Sequence, residues 1–429
     1  MPSITPATAP IPSPILSPTL AANEFVRRLR AEGREVLHMG FGQAPFPVHP
    51  RLARALSDNA GENGYPDVAG MPELRAAVLA HQAAIAGIDP DAYDVLVAPG
   101  SKLILFAVQM ALGGDPLLPV PSWVSYEPQA RLLGRRAIPV PARCEDRCLV
   151  IDADDLAGAI ARARGEGRDP RSLVLNSPSN PTGLVVPDDC LAAIAAVCGR
   201  EGVAIVSDEI YARLTFDGSY PTIARHAPDR TIVSTGLSKH LSLGGWRLGV
   251  GLVPKSMDGL FARLVSFASE TWSGVAAPVQ RAAVEAYRMY DDVEASIDAA
   301  RRVHRSVATL AARRLKGMGL DCAMPGGGFY VWPDLAPVRR AANREITSSA
   351  LAGALLRERG VVSLPGSAFG EEENALRLRL SVCDYDGADA LSHLARGGDP
   401  DEVGAYAPRA TRALDAIEAF VAAPRFDEM

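Results

Sequence analysis

Lysine occurs at only four positions in this 429-residue chain, Lys102, Lys239, Lys255 and Lys316. Chemistry that needs a side-chain amine therefore has four candidates. Lys239 follows the β-branched run Thr231–Ser234 by way of Thr235-Gly236-Leu237-Ser238, and Arg247 stands eight residues beyond it. Similar runs end on Pro99-Gly100-Ser101-Lys102, on Asn176-Ser177-Pro178-Ser179-Asn180-Pro181-Thr182-Gly183 and on Ser207-Asp208-Glu209-Ile210-Tyr211. In α/β sheets ligands collect beyond the carboxyl ends of the strands. These endings would bring an amide, a carboxylate, a phenol, an amine and a guanidinium to one region. A lysine amine forms a Schiff base with an aldehyde. A carboxylate keeps a pyridine nitrogen protonated, so that the ring takes up electrons. Arginine, a hydroxyl and the N–H groups of a helix N-terminus hold a phosphate. The cofactor that uses all of these together is pyridoxal phosphate (PLP).

The elements that must position these groups can be read from the pattern. Residues 20–37 have helical periodicity, and Met71–Ala86 opens with Pro72-Glu73, a proline inside a first helical turn. From residue 94 onward short apolar runs alternate with helical stretches. Strands are expected at 94–98, 117–120, 137–140, 173–175, 203–207, 231–234 and 248–252. Helices are expected at 101–112 and 188–197. That alternation argues for an α/β fold with a mainly parallel seven-stranded sheet between helices. After residue 295 the texture becomes α+β: a helix at 296–317, an edge hairpin at 326–332, a helix at 346–359, strands at 361–364 and 376–382, and a final helix near 409–421. Residues 386–408 give no clear pattern, and no internal repeat is visible. The expected organisation is a proline-rich arm (1–19), a large domain (51–295), and a small α+β domain formed by 20–50 with 296–429.

The motifs together resemble the class I/II aminotransferases, the fold-type I PLP enzymes, over roughly residues 35–385. The resemblance rests on Asn176–Gly183, Ser207–Tyr211 and Ser238-Lys239 with Arg247. It is extended by Gly64-Tyr65-Pro66, Pro121–Tyr126, Leu364–Gly370 and Leu378-Arg379-Leu380-Ser381. It implies that Lys239 forms the internal aldimine and shuttles the substrate proton, that Asp208 pairs with the pyridinium, and that Tyr211 and Asn180 hydrogen-bond the phenolic oxygen. Trp123 would stack on the ring. Gly100, Ser101, Lys102, Ser238 and Arg247 would hold the phosphate, with Tyr65 reaching it from the other subunit of a homodimer. Arg379 and the backbone of Gly42, helped by Asn180, would take the substrate carboxylate. Arg377 is a rival for Arg379, since residues two apart in a strand share a face. The implied reaction is ping-pong transfer of an amino group between an amino acid and a 2-oxo acid through aldimine and ketimine. A PLP-dependent lyase, cyclase or synthase is the alternative.

Two departures stand out. Gly236 occupies a position where the family often carries a phosphate-binding hydroxyl, so either Thr235 replaces it or the phosphate loses one hydroxyl. Gly42-Gln43-Ala44-Pro45-Phe46 stands where the family has Gly-Glu-Pro-Asp-Phe. Trp272, in a loop of the kind that lines a partner's site, favours an apolar or aromatic substrate. A formal charge of −6 gives no basic surplus for nucleic acid, and a PLP-binding regulator would need a DNA-binding module before residue 40. No run suits a membrane span or a secretory signal. The six cysteines form no CxxC pair and read as reduced thiols of a cytoplasmic protein. No metal site is expected, and His240 and Gly326-Gly327-Gly328 read as structural.

Overall fold

The β-branched runs do form strands. A computed structural model describes residues 17–338 and 345–423. Its main sheet has seven strands: β1 (Tyr93–Ala98), β2 (Asp115–Val120), β3 (Ile138–Pro141), β4 (Pro170–Asn176), β5 (Ala204–Asp208), β6 (Thr231–Gly236) and β7 (Gly249–Pro254). Their order is β1-β7-β6-β5-β4-β2-β3. Neighbours from β6 to β3 are parallel, whereas β7 runs antiparallel to both β1 and β6. The reversal has a local cause. Parallel pairing needs a crossover, usually a helix, but the link from β6 to β7 holds only one 3₁₀ turn, Gly244–Trp246.

Side chains of the central strands alternate between two covered faces. Val174, Val206 and Ile232 pack under helices Ser101–Leu112 and Leu260–Thr271. Leu173, Leu175 and Ile205 pack under helices Ala153–Gly165 and Asp188–Glu201. Leu173 is fully buried, and Leu173→Ala is expected to lower stability by about 2–5 kcal/mol, because the sheet collapses only partly into the gap. Chemical denaturation would show this as a lower midpoint at unchanged slope.

Strand register aligns the exits. Asn176 lies opposite Asp208, and Asp208 opposite Ser234, so the carboxyl ends of β4, β5 and β6 come level at one edge of the sheet.

The 27-residue helix Asp291–Gly317 leads to a second core built from residues within 37–46, 300–338, 346–361 and 376–420, joined by Ile210, Tyr211 and Leu214. It contains a three-stranded antiparallel sheet, Tyr330–Val331, Leu378–Ser381 and Leu364–Pro365 in that order. Leu37–His38 pairs in parallel with Val361–Val362, and helix Pro18–Ala31 adds Val26 and Leu29 against Val36 and Val362.

Several expectations need correction. Gly326–Trp332 is not a hairpin: Tyr330–Val331 pairs with Leu378–Ser381, while Gly326 and Gly327 donate their N–H groups to Gly183 O. The run 361–364 is two short strands in different sheets. The first helix ends at Ala31, and Gly33 at φ +76° turns the chain. Residues 386–408 hold helices Gly387–Ala395 and Val403–Tyr406, the first capped by Asp386, whose carboxylate accepts from the N–H of Ala388 and Asp389. Most of the expected proline-rich arm (1–16) lies outside the described residues, and Pro18 already sits in the first turn of a helix. Among the described residues no helix is long and apolar enough to cross a membrane.

Candidate active site

Asp208 ends β5 and is buried. The Tyr126 hydroxyl donates to its Oδ2 at 2.7 Å, and the Ile210 N–H to Oδ1 at 3.3 Å. Burial pushes its carboxyl up to about 6, against the pull of these two donors and of Lys239. One strand over, Asn176 ties two of the motifs together. Its Nδ2 donates to Asp208 O at 2.8 Å, and its Oδ1 accepts the Asn180 N–H at 2.7 Å.

Lys239 follows β6. Its Nζ donates to Gly42 O at 2.9 Å and lies 5.6 Å from the Tyr211 ring. Burial lowers its amine to about 8. Cys383 and Asp208 pull it upward, and Arg379 and Arg247 push it downward. Near neutral pH an appreciable fraction is therefore uncharged, the form that attacks a carbonyl.

Arg379 sits in strand Leu378–Ser381 and is fully buried. Nη1 donates to Asn180 Oδ1 at 3.1 Å and Nη2 to Gly40 O at 2.6 Å, while Nε has no partner. Its rival Arg377 faces Asp321 and Asp334, each at 3.6 Å. Geometry thus separates two arginines that the alternation could not.

On the opposite side, Gly100 at φ +95° precedes helix Ser101–Leu112. A Cβ on Gly100 would lie 2.2 Å from Arg247 Nη2, so glycine leaves room for that guanidinium. Arg247 is itself left-handed at φ +53° and donates to Gly244 O at 3.0 Å. Thr235 does not replace the hydroxyl missing at Gly236: it is buried, its hydroxyl reaches Glu209 O at 3.4 Å, and it does not line the cavity. A Cβ on Gly236 would come within 2.8 Å of Leu248 O, so close strand packing accounts for the glycine.

These groups enclose a cavity of about 590 Å³, walled by Lys239, Asp208, Tyr211, Asn180, Arg379, Trp123, Ser101, Lys102, Ser238, Arg247 and Gly42. The Lys102 ammonium lies 4.9 Å over the Trp123 ring. Tyr65 is fully exposed and does not reach this cavity. Trp272 is also outside it, with Nε1 donating to Val97 O at 3.3 Å.

Sequence reasoning missed two residues. Tyr126, quoted in a motif but given no role, supports Asp208. Tyr330 lies in the glycine-rich run taken as structural, and its hydroxyl is 2.8 Å from that of Tyr211. The first turn of helix Pro18–Ala31 also walls the cavity through Thr19 and Leu20. That helix is held by Arg30, 3.3 Å from Asp384, which also pairs with Arg409 at 2.9 Å.

Beside Asp208 lies a second buried carboxyl. Glu209 Oε1 accepts from Ser207 Oγ at 2.8 Å and Thr222 Oγ1 at 2.6 Å, while Oε2 is unpartnered. Burial pushes this acid from 4.5 up to about 7. The folded chain thus keeps on Glu209 a proton that the unfolded chain releases, so the contribution of this group to stability falls as pH rises from about 4.5 to 7, by on the order of 3 kcal/mol, while the buried His38, His81, His240 and His304, all lowered by burial, contribute in the opposite direction. Glu209→Gln is expected to remove that part of the slope, read from melting temperature against pH without cofactor.

The site suits PLP. An enclosed amine, a buried carboxylate, an unpartnered guanidinium nitrogen and a glycine-cradled arginine beside a helix N-terminus match its aldehyde, pyridine nitrogen and phosphate, and the carboxylate of an amino-acid partner. Comparisons with known proteins agree. The family model for aminotransferase class I and II matches residues 34–392. The aspartate aminotransferase of Geobacillus stearothermophilus is 32% identical over 374 residues, covering 85% of this chain and 91% of that protein. The aspartate/prephenate aminotransferase of Thermus thermophilus is 29% identical, covering 88% and 95%. The structure of Thermus thermophilus aspartate aminotransferase with maleate superposes with a TM-score of 0.77 at 28% identity, covering 89% of this chain and 97% of that one. The chain therefore belongs to the class I and II aminotransferases, fold-type I enzymes that use PLP to move an amino group from an amino acid to a 2-oxo acid.

Proposed function

We propose that Lys239, Asp208, Tyr211, Asn180, Arg247 and Arg379 carry this reaction in one cavity, and that their convergence there is the observation that supports it. When bound, PLP supplies the electron sink for the pair released at the substrate Cα. Lys239 would anchor the cofactor and, once freed by substrate, would carry the proton from the substrate Cα to the cofactor's C4′. Burial lowers its amine to about 8, which makes the neutral form accessible for both duties. Asp208, held by Tyr126, would pair with the pyridine nitrogen. Tyr211 and Asn180 would donate to the phenolic oxygen, and Trp123 would cover the ring. The backbone at Gly100, Ser101 and Lys102 would hold the phosphate with Ser238 and Arg247. Arg379, fixed by Asn180 and Gly40 O, takes the α-carboxylate beside Gly42.

The cavity wall favours an acidic amino donor over an apolar or aromatic one. Lys102 adds a further cation to the wall that Arg379, Arg247 and Lys239 already share, while Trp272 lies outside that wall. Relatives named aspartate aminotransferases fit this reading. Lys102→Met is expected to lower kcat/KM for aspartate by about 10²-fold, with less than threefold change for an apolar amino acid. Equal effects on both would overturn the acidic reading.

We also read the enzyme as a cytoplasmic homodimer, with residues 51–295 as its large domain and 20–50 with 296–429 as its small one. Fully exposed Tyr65 would reach the phosphate of the second copy in that dimer. Assays with and without a 2-oxo acid acceptor separate transamination from elimination or cyclisation. Transamination requires the acceptor and yields product oxo acid and product amino acid in equal amounts.

A further inference from the structure

Tyr330 is bound into the site from every side. Its hydroxyl lies 2.8 Å from Tyr211 Oη and 3.4 Å from Asn180 Nδ2. The Arg379 guanidinium lies 4.8 Å from its ring centroid. A Cβ on Gly42 would sit 1.9 Å from its hydroxyl, so the glycine there makes room for Tyr330, and the same residue's carbonyl receives Lys239.

The direction of the hydrogen bonds follows from the donors. Arg379 Nη1 donates to Asn180 Oδ1, so the other end of that amide, an N–H donor, faces Tyr330. The Tyr330 oxygen therefore accepts. Its own proton needs an acceptor, as buried hydroxyls do, and among the described residues only Tyr211 Oη offers one. Tyr211 then has no protein acceptor for its proton, which is left to point into the cavity.

We infer that Tyr330 is a positioning residue that commits Tyr211 to donate into the cavity and links this donor to Arg379, the group that takes the substrate carboxylate. The inference rests on the proposed function, in which Tyr211 faces the cofactor's phenolic oxygen. A donor to that oxygen competes with the proton shared between the oxygen and the nitrogen of Lys239, so it favours the unprotonated, differently coloured form. The other charged and titratable groups around Lys239 are Asp208, Arg379, Arg247 and Cys383, and a change at Tyr330 removes none of them.

The experiment loads wild type, Tyr330→Phe, Tyr211→Phe and the double variant with PLP and titrates the visible absorbance. Tyr330→Phe keeps the ring under Arg379 but loses the hydroxyl. Its colour change is expected to move upward by about half a unit to one pH unit, the equivalent of one hydrogen bond. Succinate, an unreactive dicarboxylate, is expected to bind Tyr330→Phe within twofold of wild type and Tyr330→Leu at least fivefold more weakly. In the Tyr211→Phe background, adding Tyr330→Phe is expected to move the colour change no further. An unmoved or lowered transition in Tyr330→Phe, or additive shifts in the double variant, overturns the inference. A wild type with no visible band overturns instead the proposed function on which it rests.

Discussion

Lys239→Ala is expected to abolish turnover, with a loss of roughly 10⁴-fold or more in the overall rate, because two separate duties disappear with one amine. The first is the covalent hold on the cofactor. The second is the proton transfer at the substrate Cα, for which no other group in the cavity is suited. Lys102 is the only other lysine on the cavity wall, and its ammonium is engaged over the Trp123 ring. Asp208 is buried with Tyr126, and Tyr211 is held well above its ordinary pKa by burial. The proposed duties can be told apart. A small primary amine added in solution restores part of the proton transfer but not the permanent anchor, so the variant is expected to regain activity in proportion to amine concentration while losing cofactor on gel filtration. Borohydride treatment of the wild type, followed by peptide mapping, is expected to fix the cofactor on the peptide that carries Lys239. A parental rate in the alanine variant sinks the assignment.

Much of this site was legible from spacing because strand ends are punctuated. A run such as Ile205-Val206 that stops on Ser207-Asp208 marks both the strand and its exit, and parallel strands bring their exits level. That is why Asn180, Asp208, Lys239 and Arg247 were recoverable together. What the pattern concealed has physical reasons. Arg377 and Arg379 share a periodicity, and only the positions of Asp321 and Asp334, far away in sequence, draw Arg377 out of the cavity. The reversal of β7 carried a faint signal, a link to β6 too poor in helix formers for a crossover. Tyr330 was hidden because its strand partner is Leu378–Ser381 rather than an adjacent segment. Its flanking glycines looked like turn chemistry, whereas Gly327 is there because a Cβ would meet Pro178 Cγ at 2.6 Å. Tyr126 belongs to a helix, Tyr126–Leu132, and nothing local says that its hydroxyl ends on a carboxylate 82 residues away.

Asp208→Asn tests the electronic half of the mechanism as Lys239→Ala tests the covalent half. The substitution preserves shape: the amide oxygen can keep the Ile210 N–H, and the amide Nδ2 then donates to the Tyr126 hydroxyl, which turns from donor to acceptor. What goes is the negative charge. Burial pushes that carboxyl up to about 6, so its charge is costly until a cation compensates it, and a protonated pyridine nitrogen is such a cation. An amide cannot stabilise that proton, and a neutral ring accepts electrons poorly. The expected result is a drop in kcat of roughly 10³-fold, about 4 kcal/mol of lost transition-state stabilisation. KM for the amino acid is expected to stay within about threefold, because Arg379 and its partners Asn180 and Gly40 are untouched. Cofactor binding weakens but persists through Lys239 and the phosphate groups around Arg247. Tyr126→Phe removes one donor from the carboxylate without removing the charge, so it is expected to lower kcat far less, by about tenfold or under. If Asp208→Asn and Tyr126→Phe lose the same modest factor, the carboxylate acts only as a hydrogen-bonding wedge, and the electron-sink role assigned to it is wrong.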